Sequence, residues 1–271
     1  MTSVSYFSRS LRVTDEQGQV KIVGDAEILM MVGPIIVLGE PGMGKSELIR
    51  EIGRRSETQP IMAVRFMHSK DPSRLVVADK PLLIDALDEA VARRDGDAVD
   101  LILAQLESAG APEFILTCRA REWQQRSVNN LKDIYGKQPT VLTIEPLNRS
   151  EAILFLTQRH AAVDAEHVLS HLESHNVGEL YGNPLTLSLM GQVAEYHAQL
   201  PATRAALFEE VCALTWPEHD SDRYDLGLGK LTADQALSAA GAVMAGALLA
   251  GSEAVNLAGS ALHQDLSLIH I

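Results

Sequence analysis

The chain has 271 residues, 46% of them hydrophobic and 22% charged. That is the composition of an ordinary globular protein, with enough chain to bury a core without disulfide or metal staples. Lys and Arg number 23 against 36 Asp and Glu, a formal charge of −13, which argues against non-specific binding to nucleic acid or to an anionic membrane surface.

Two distant cysteines, Cys118 and Cys212, make neither a disulfide framework nor a zinc site and fit a reducing compartment. The first twenty residues lack the apolar stretch of a signal peptide, so the expectation is a cytoplasmic protein. The most apolar stretch, residues 237–251, falls short of the ~20 residues of a membrane span and reads as a packed helix.

Residues 20–23 read as a short strand, followed by a turn at Gly24 and Asp25. The run Pro34-Ile-Ile-Val-Leu38 has no polar face to alternate, as expected of a buried parallel strand. A glycine-rich stretch and a helix over 46–54 follow. Further strands are expected at 61–66, 82–84, 114–117 and 141–144, with a helix over 97–108 that ends near Gly110. Strands alternating with helices predict a parallel α/β sheet.

After Pro146 the pattern turns helical. Asn148 and Glu151 have the spacing of a capping box, as do Thr232 and Gln235. Helices are expected at 165–173, 184–195 and 203–214, with Pro184 suited to a first helical turn. Residues 217–229 read as a polar linker. The layout is therefore a nucleotide-binding domain over 1–145, a helical domain over 146–217, and the start of a further domain over 218–265. The last six residues, LSLIHI, read as a translated sequencing adaptor outside the fold, with the natural chain expected to continue.

Three segments carry chemistry. Residues 39–46 read Gly39, Glu40, Pro41, Gly42, Met43, Gly44, Lys45, Ser46, the phosphate-loop pattern G-x-x-x-x-G-K-[ST] between a strand and a helix. Glycines let the backbone wrap phosphate oxygens, and the N–H groups from Gly42 to Ser46 form an anion nest at the positive end of a helix. Lys45 adds a cation for the β- and γ-phosphates, and Ser46 a hydroxyl ligand for Mg²⁺.

In the second segment, PLLIDALDE (81–89), an apolar strand ends in Asp85. That carboxylate lies at the carboxyl edge of the sheet, where open α/β sheets bind ligands, so Asp85 is the candidate second holder of Mg²⁺. Asp88 and Glu89 follow. Either could orient the attacking water, or both could be acids favoured by a helix N-terminus. In the third segment, FILTCR (114–119), Arg119 is placed to meet a γ-phosphate with its bidentate fork. The same arginine could pair locally with Glu122, leaving Arg121 as the alternative sensor. Cys118 reads as a small packed residue.

Together, GEPGMGKS (39–46), LLIDALDE (82–89), ILTCR (115–119) and GNPLTL (182–187) resemble the NACHT group of STAND-type P-loop NTPases, over roughly residues 20–250. The spacing of Asp85, Ala86, Asp88 and Glu89 carries most of that resemblance. It implies a P-loop NTPase sheet, a small all-α domain and the start of a winged-helix-like domain. It also implies Pro184 of the Gly182-Asn-Pro184 motif as a contact to the nucleotide base, ATP/ADP with Mg²⁺ as cofactors, and slow hydrolysis.

By the same resemblance the chain is a signalling switch that forms a homo-oligomer when activated. Its unknown trigger is sensed by a region C-terminal to the chain, and the group's bacterial members often act in defence against phage. Family members usually carry a complete winged helix, a repeat or sensor region and often an effector, whereas only 33 residues precede the phosphate-loop strand. Two rival readings use the same motifs: an AAA+-like ATPase that turns over continuously as a remodeller or loader, and a module in which nucleotide is only bound.

Overall fold

The computed structural model describes residues 6–14, 19–85, 98–120, 123, 125–197, 200–215 and 232–249. Asp88, Glu89, Arg121, Glu122, the 217–229 linker and residues 266–271 lie outside the described residues. The chain divides into two compact units. One comprises Met1–Glu151 with Gly182–Leu185, the other Ala152–Tyr181 with Thr186–Ile271.

The first unit is an α/β layer structure. Its strands are β1 (Ser10–Thr14), β2 (Val20–Gly24), β3 (Ile35–Leu38), β4 (Ile61–Met62), β5 (Leu82–Asp85), β6 (Phe114–Cys118) and β7 (Thr140–Ile144). They form one seven-stranded sheet in the order β2-β1-β7-β3-β6-β5-β4. From β7 to β4 neighbouring strands run parallel. The expected all-parallel sheet is extended by a hairpin: β1 pairs antiparallel with both β2 and β7. β1, whose five residues carry the polar Ser10, Arg12 and Thr14, was not among the expected strands.

Both faces of the sheet are covered, which is why β3, β5 and β6 are buried at every position. Alternation along the pleat divides their side chains between two cores. Ile36, Leu38, Leu82, Ile84, Phe114 and Leu116 pack with Phe66, Ile102, Leu106 and Leu131. Ile35, Val37, Leu83 and Ile115 pack on the other side with Leu48, Ile49 and Ile52. The helices that supply those side chains are α1 (Lys45–Ser56), α2 (Ala63–Met67), α3 (Ala98–Ser108) and α4 (Gln125–Tyr135).

The expected strand over 61–66 is corrected. Only Ile61 and Met62 are extended, and α2 begins at Ala63. The buried residues Ala63, Phe66 and Met67 are spaced i, i+3, i+4, which is a helical face and not a strand alternation.

A buried carboxylate fastens the N-terminal segment to α1. Asp25 accepts hydrogen bonds from the Tyr6 hydroxyl, from the Ser8 hydroxyl at 3.0 Å and from the Arg9 backbone N–H at 3.1 Å, with Arg55 Nη1 at 3.5 Å. Burial, and then the bond to Asp25, push the Tyr6 hydroxyl well above the ordinary phenol range. Burial likewise lowers the Arg9 guanidinium, which donates from Nη2 to the Glu145 carbonyl at 2.6 Å.

Beyond β7, α5 (Arg149–Arg159) starts at the expected capping box. Asn148 Oδ1 accepts from Glu151 N–H at 3.0 Å, and Glu151 Oε2 accepts from Asn148 N–H at 2.9 Å. α6 (Ala165–Ser174), α7 (Pro184–Tyr196), α8 (Arg204–Thr215) and α9 (Ala233–Leu249) follow, and the box at Thr232 and Gln235 forms at the start of α9. Among the described residues no helix is long and apolar enough to cross a membrane.

Within the second unit, the His160 imidazole is buried, with Nδ1 3.0 Å from Glu195 Oε1 and Nε2 3.2 Å from Ser188 Oγ. A Cβ at Gly191 would lie 2.5 Å from the ring, so that glycine is what admits the ring against α7.

Candidate nucleotide site

Three adjacent strands end at one edge of the sheet, and each hands on to a polar group. β3 lies beside β6 with Leu38 level with Cys118, and β5 lies beside β6 with Ile84 level with Leu116. Gly39, Asp85, Thr117 and Arg119 therefore sit within about one residue of a common level. The Gly39 N–H donates to the Cys118 carbonyl at 3.2 Å, which ties the root of the loop to β6.

The loop leaves β3 and returns as α1. Gly42 and Gly44 have φ of +79° and +87°, a region that a residue with a Cβ enters only at a cost. Gly44 is the N-cap of α1, and its carbonyl accepts the Leu48 N–H at 2.9 Å. A turn closed by Met43 N–H to the Glu40 carbonyl, 3.2 Å, shapes the crown. Lys45 is nearly buried, and its Nζ donates to the Gly39 carbonyl at 2.8 Å and to the Glu40 carbonyl at 3.3 Å. Ser46, half-buried, occupies the first turn of α1.

Asp85 is 7% exposed. Its Oδ1 accepts the Thr117 hydroxyl at 2.6 Å, and Thr117 itself is fully buried. This bond fixes the carboxylate from the neighbouring strand. Thr117 was not among the site residues expected from the sequence. Its place near the end of an apolar strand, two residues before Arg119, was the signal that the sequence offered. Arg119 is buried one residue beyond β6. Cys118 is packed in the core, as expected.

Pro184 is buried, and the short segment that carries it, Gly182–Leu185, belongs to the α/β unit. The Leu147 N–H donates to the Gly182 carbonyl at 2.8 Å. The Asn183 side-chain Nδ2 donates to the Pro41 carbonyl at 2.8 Å, so this segment lies against the phosphate loop. Asn183 was likewise not among the residues assigned a role from the sequence.

Lys45, Ser46, Asp85, Arg119 and the Gly182–Leu185 segment thus belong to one unit, four of them at one sheet edge. Asp88 and Glu89 are outside the described residues. A cavity of about 540 Å³ opens at the opposite edge, where Ile35, Pro81 and Phe114 begin or precede their strands; none of the predicted site residues lines it. The strand order, with the acidic strand separated from the loop strand by β6, and the strand–loop–helix unit make this a P-loop NTPase fold.

No family model and no curated protein matches the chain. Among solved structures, the chain is similar to a signal transduction ATPase with numerous domains (STAND) protein with a tetratricopeptide repeat sensor from Pyrococcus horikoshii. The likeness covers 74% of this chain and 32% of that one, at 15% identity and a TM-score of 0.42. The chain therefore spans about a third of that protein's length.

Proposed function

We propose that the chain is the nucleotide-binding part of a STAND-type signalling switch of the NACHT group, which binds ATP and hydrolyses it slowly with Mg²⁺. The observation that carries this reading is the meeting, at one sheet edge, of the Lys45 loop with the Asp85–Thr117 pair and Arg119. In this reading the nucleotide phosphates lie in the nest of residues 42–46, at the N-terminus of a twelve-residue helix. There the helix dipole and the N–H groups at the start of the helix favour an anion.

Lys45 places its ammonium on the β- and γ-phosphates. Arg119 distinguishes a triphosphate from a diphosphate by pairing with the terminal phosphate. Pro184 abuts the base. Ser46 and Asp85 offer the hard oxygen donors that suit Mg²⁺, which keeps several waters and is held by few protein groups. When bound, that ion neutralises charge on the phosphates. Asp88 or Glu89 orients the attacking water.

A nucleotide biases a conformational equilibrium only through contacts that differ between states. Arg119 and Pro184 are the groups assigned that difference. Oligomerisation in the triphosphate state, a trigger sensed elsewhere in the protein, action in the cytoplasm and a part in phage defence belong to the same proposal. So does the division into a helical domain over 146–217 and the start of a winged-helix-like domain over 218–265.

Nucleotide retention and turnover test the reading. The purified chain is expected to carry ADP, and to hydrolyse ATP far more slowly than ~1 s⁻¹, the low end of ordinary enzyme turnover. Lys45→Ala should abolish nucleotide binding in calorimetric titration. Asp85→Asn should bind but lose Mg²⁺-dependent hydrolysis. Unchanged affinity in Lys45→Ala would falsify the site. Steady turnover near 1 s⁻¹ or above would favour the continuously cycling remodeller instead.

A further inference from the structure

In a phosphate loop the N–H groups turn toward the anion, so the carbonyls of the same peptides turn away and need partners of their own. Two carbonyls of this loop, those of Pro41 and Gly42, find partners in a segment distant in sequence. Asn183 Nδ2 donates to the Pro41 carbonyl at 2.8 Å across 142 residues of chain. The Leu185 N–H donates to the Gly42 carbonyl at 3.2 Å, and also to Asn183 Oδ1 at 3.0 Å.

The approach is close. A Cβ on Gly42 would lie 2.6 Å from Asn183 Oδ1 and 2.8 Å from the Leu185 Cβ. Gly42 is thus a glycine for its positive φ and also because Asn183 and Leu185 occupy the space beside it. The segment is held from behind as well, since a Cβ on Gly182 would lie 3.1 Å from the Pro146 Cβ and the Gly182 carbonyl is bonded to Leu147.

Resting on the nucleotide-site reading above, we infer that Asn183 is a positioning residue for the phosphate loop. A trans peptide sets its C=O and N–H on opposite sides. By holding the Pro41 carbonyl, Asn183 therefore directs the Gly42 N–H, the first of the nest, to the other side. The amide does two jobs with two atoms. Oδ1 caps the first turn of α7, and Nδ2 orients the loop. The chain passes from Leu185 straight into the second unit. The segment that orients the loop is therefore covalently continuous with the helices of the second unit. By linkage, what orders the loop must tighten the segment, and what displaces the segment must weaken phosphate binding.

The whole chain with Asn183→Ser separates the two jobs. Serine keeps a capping oxygen without charge but is too short to carry the amide donor. The expected result is an unfolding midpoint without nucleotide close to wild type, with ADP affinity reduced about tenfold, the worth of one oriented hydrogen bond. Asn183→Ala should show that affinity loss together with a lowered midpoint.

Lys45→Ala is measured beside them. If it abolishes ADP binding while Asn183→Ser binds ADP as wild type does, Asn183 is only a helix cap and the inference is overturned, with the site intact. If Lys45→Ala itself binds normally, the site reading falls and this inference with it.

A second measurement needs no variant. Saturating ADP should slow amide hydrogen exchange at Leu185 about tenfold or more in the wild-type chain, because its N–H closes on the ordered loop. Exchange at Leu185 indifferent to ADP overturns the coupling.

Discussion

At the scale of single residues, the carboxylate at the end of β5 depends on a hydroxyl from the next strand. Asp85 is buried, and Thr117 donates to it at 2.6 Å. Removing one partner of a buried hydrogen bond leaves the other partly desolvated and unpaid for that loss, at about 1–3 kcal/mol. Thr117→Val keeps the shape and the β-branch but deletes the hydroxyl. Chemical denaturation should show it less stable by that amount. Under the proposed function its hydrolysis should fall more than its nucleotide affinity, since Asp85 acts on the ion and not on the loop. Equal stability would mean that the bond contributes nothing. The two residues differed in legibility. Asp85 was readable because an acid is conspicuous after Leu82, Leu83 and Ile84. Thr117 was not, because threonine is a common strand residue, and its role arises only from the register between β5 and β6.

At the scale of elements, α1 shows how a helix is fixed at both ends. Its N-terminus is the loop itself. Near its C-terminus Glu51, 9% exposed, accepts from Arg54 Nε at 2.8 Å and Nη2 at 2.7 Å, and from Arg55 Nε at 2.8 Å. The hydrogen bond from Arg54, with that from Arg55, pulls the Glu51 carboxyl down to about 2 from its ordinary 4.5, against a smaller opposing effect of burial. A depressed carboxyl binds fewer protons folded than unfolded, so its stabilisation is complete above the unfolded value and is lost as pH falls. The window runs from 4.5 down to about 2. Stability measured across that window should fall more steeply in wild type than in Glu51→Gln; parallel curves would remove Glu51 from the account. This helix was legible from the strand and the glycine-rich loop before it. The strand at residue 61 was misread because Ile61, Met62, Val64 and Phe66 also suit a strand. The choice was made by burial of Ala63, Phe66 and Met67 on one face, which packing against α3 and the sheet decides and local propensity does not.

At the scale of the whole molecule, chain order and spatial order part company. The strands of the sheet and the buried residues of their two cores lie between Ser10 and Ile144, yet the α/β unit also includes Gly182–Leu185, which returns after α5 and α6. The local patterns that mark strands, loop and caps could be read along the sequence. This return could not, because no periodicity encodes a contact between residues 142 positions apart; Pro184 was legible as a helix start, and the resemblance assigned it to the base and not to the loop. The discontinuity has a measurable consequence. A fragment of residues 1–151 keeps every buried residue of both cores, so it should unfold in one cooperative transition. It lacks the donors to Pro41 and Gly42, and with them the constraint on the Gly42 N–H. Its affinity for ADP should therefore drop at least as far as that of Asn183→Ser in the whole chain, about tenfold, whereas its melting without nucleotide stays cooperative. Full affinity in a folded fragment would mean that the loop is pre-ordered by β3, β6 and α1 alone. Adding the Gly182–Leu185 residues back through a flexible linker separates the loss of these donors from any damage to the core. If the segment acts on the loop directly, affinity recovers in the linked fragment and falls again when Asn183 is changed to serine within it.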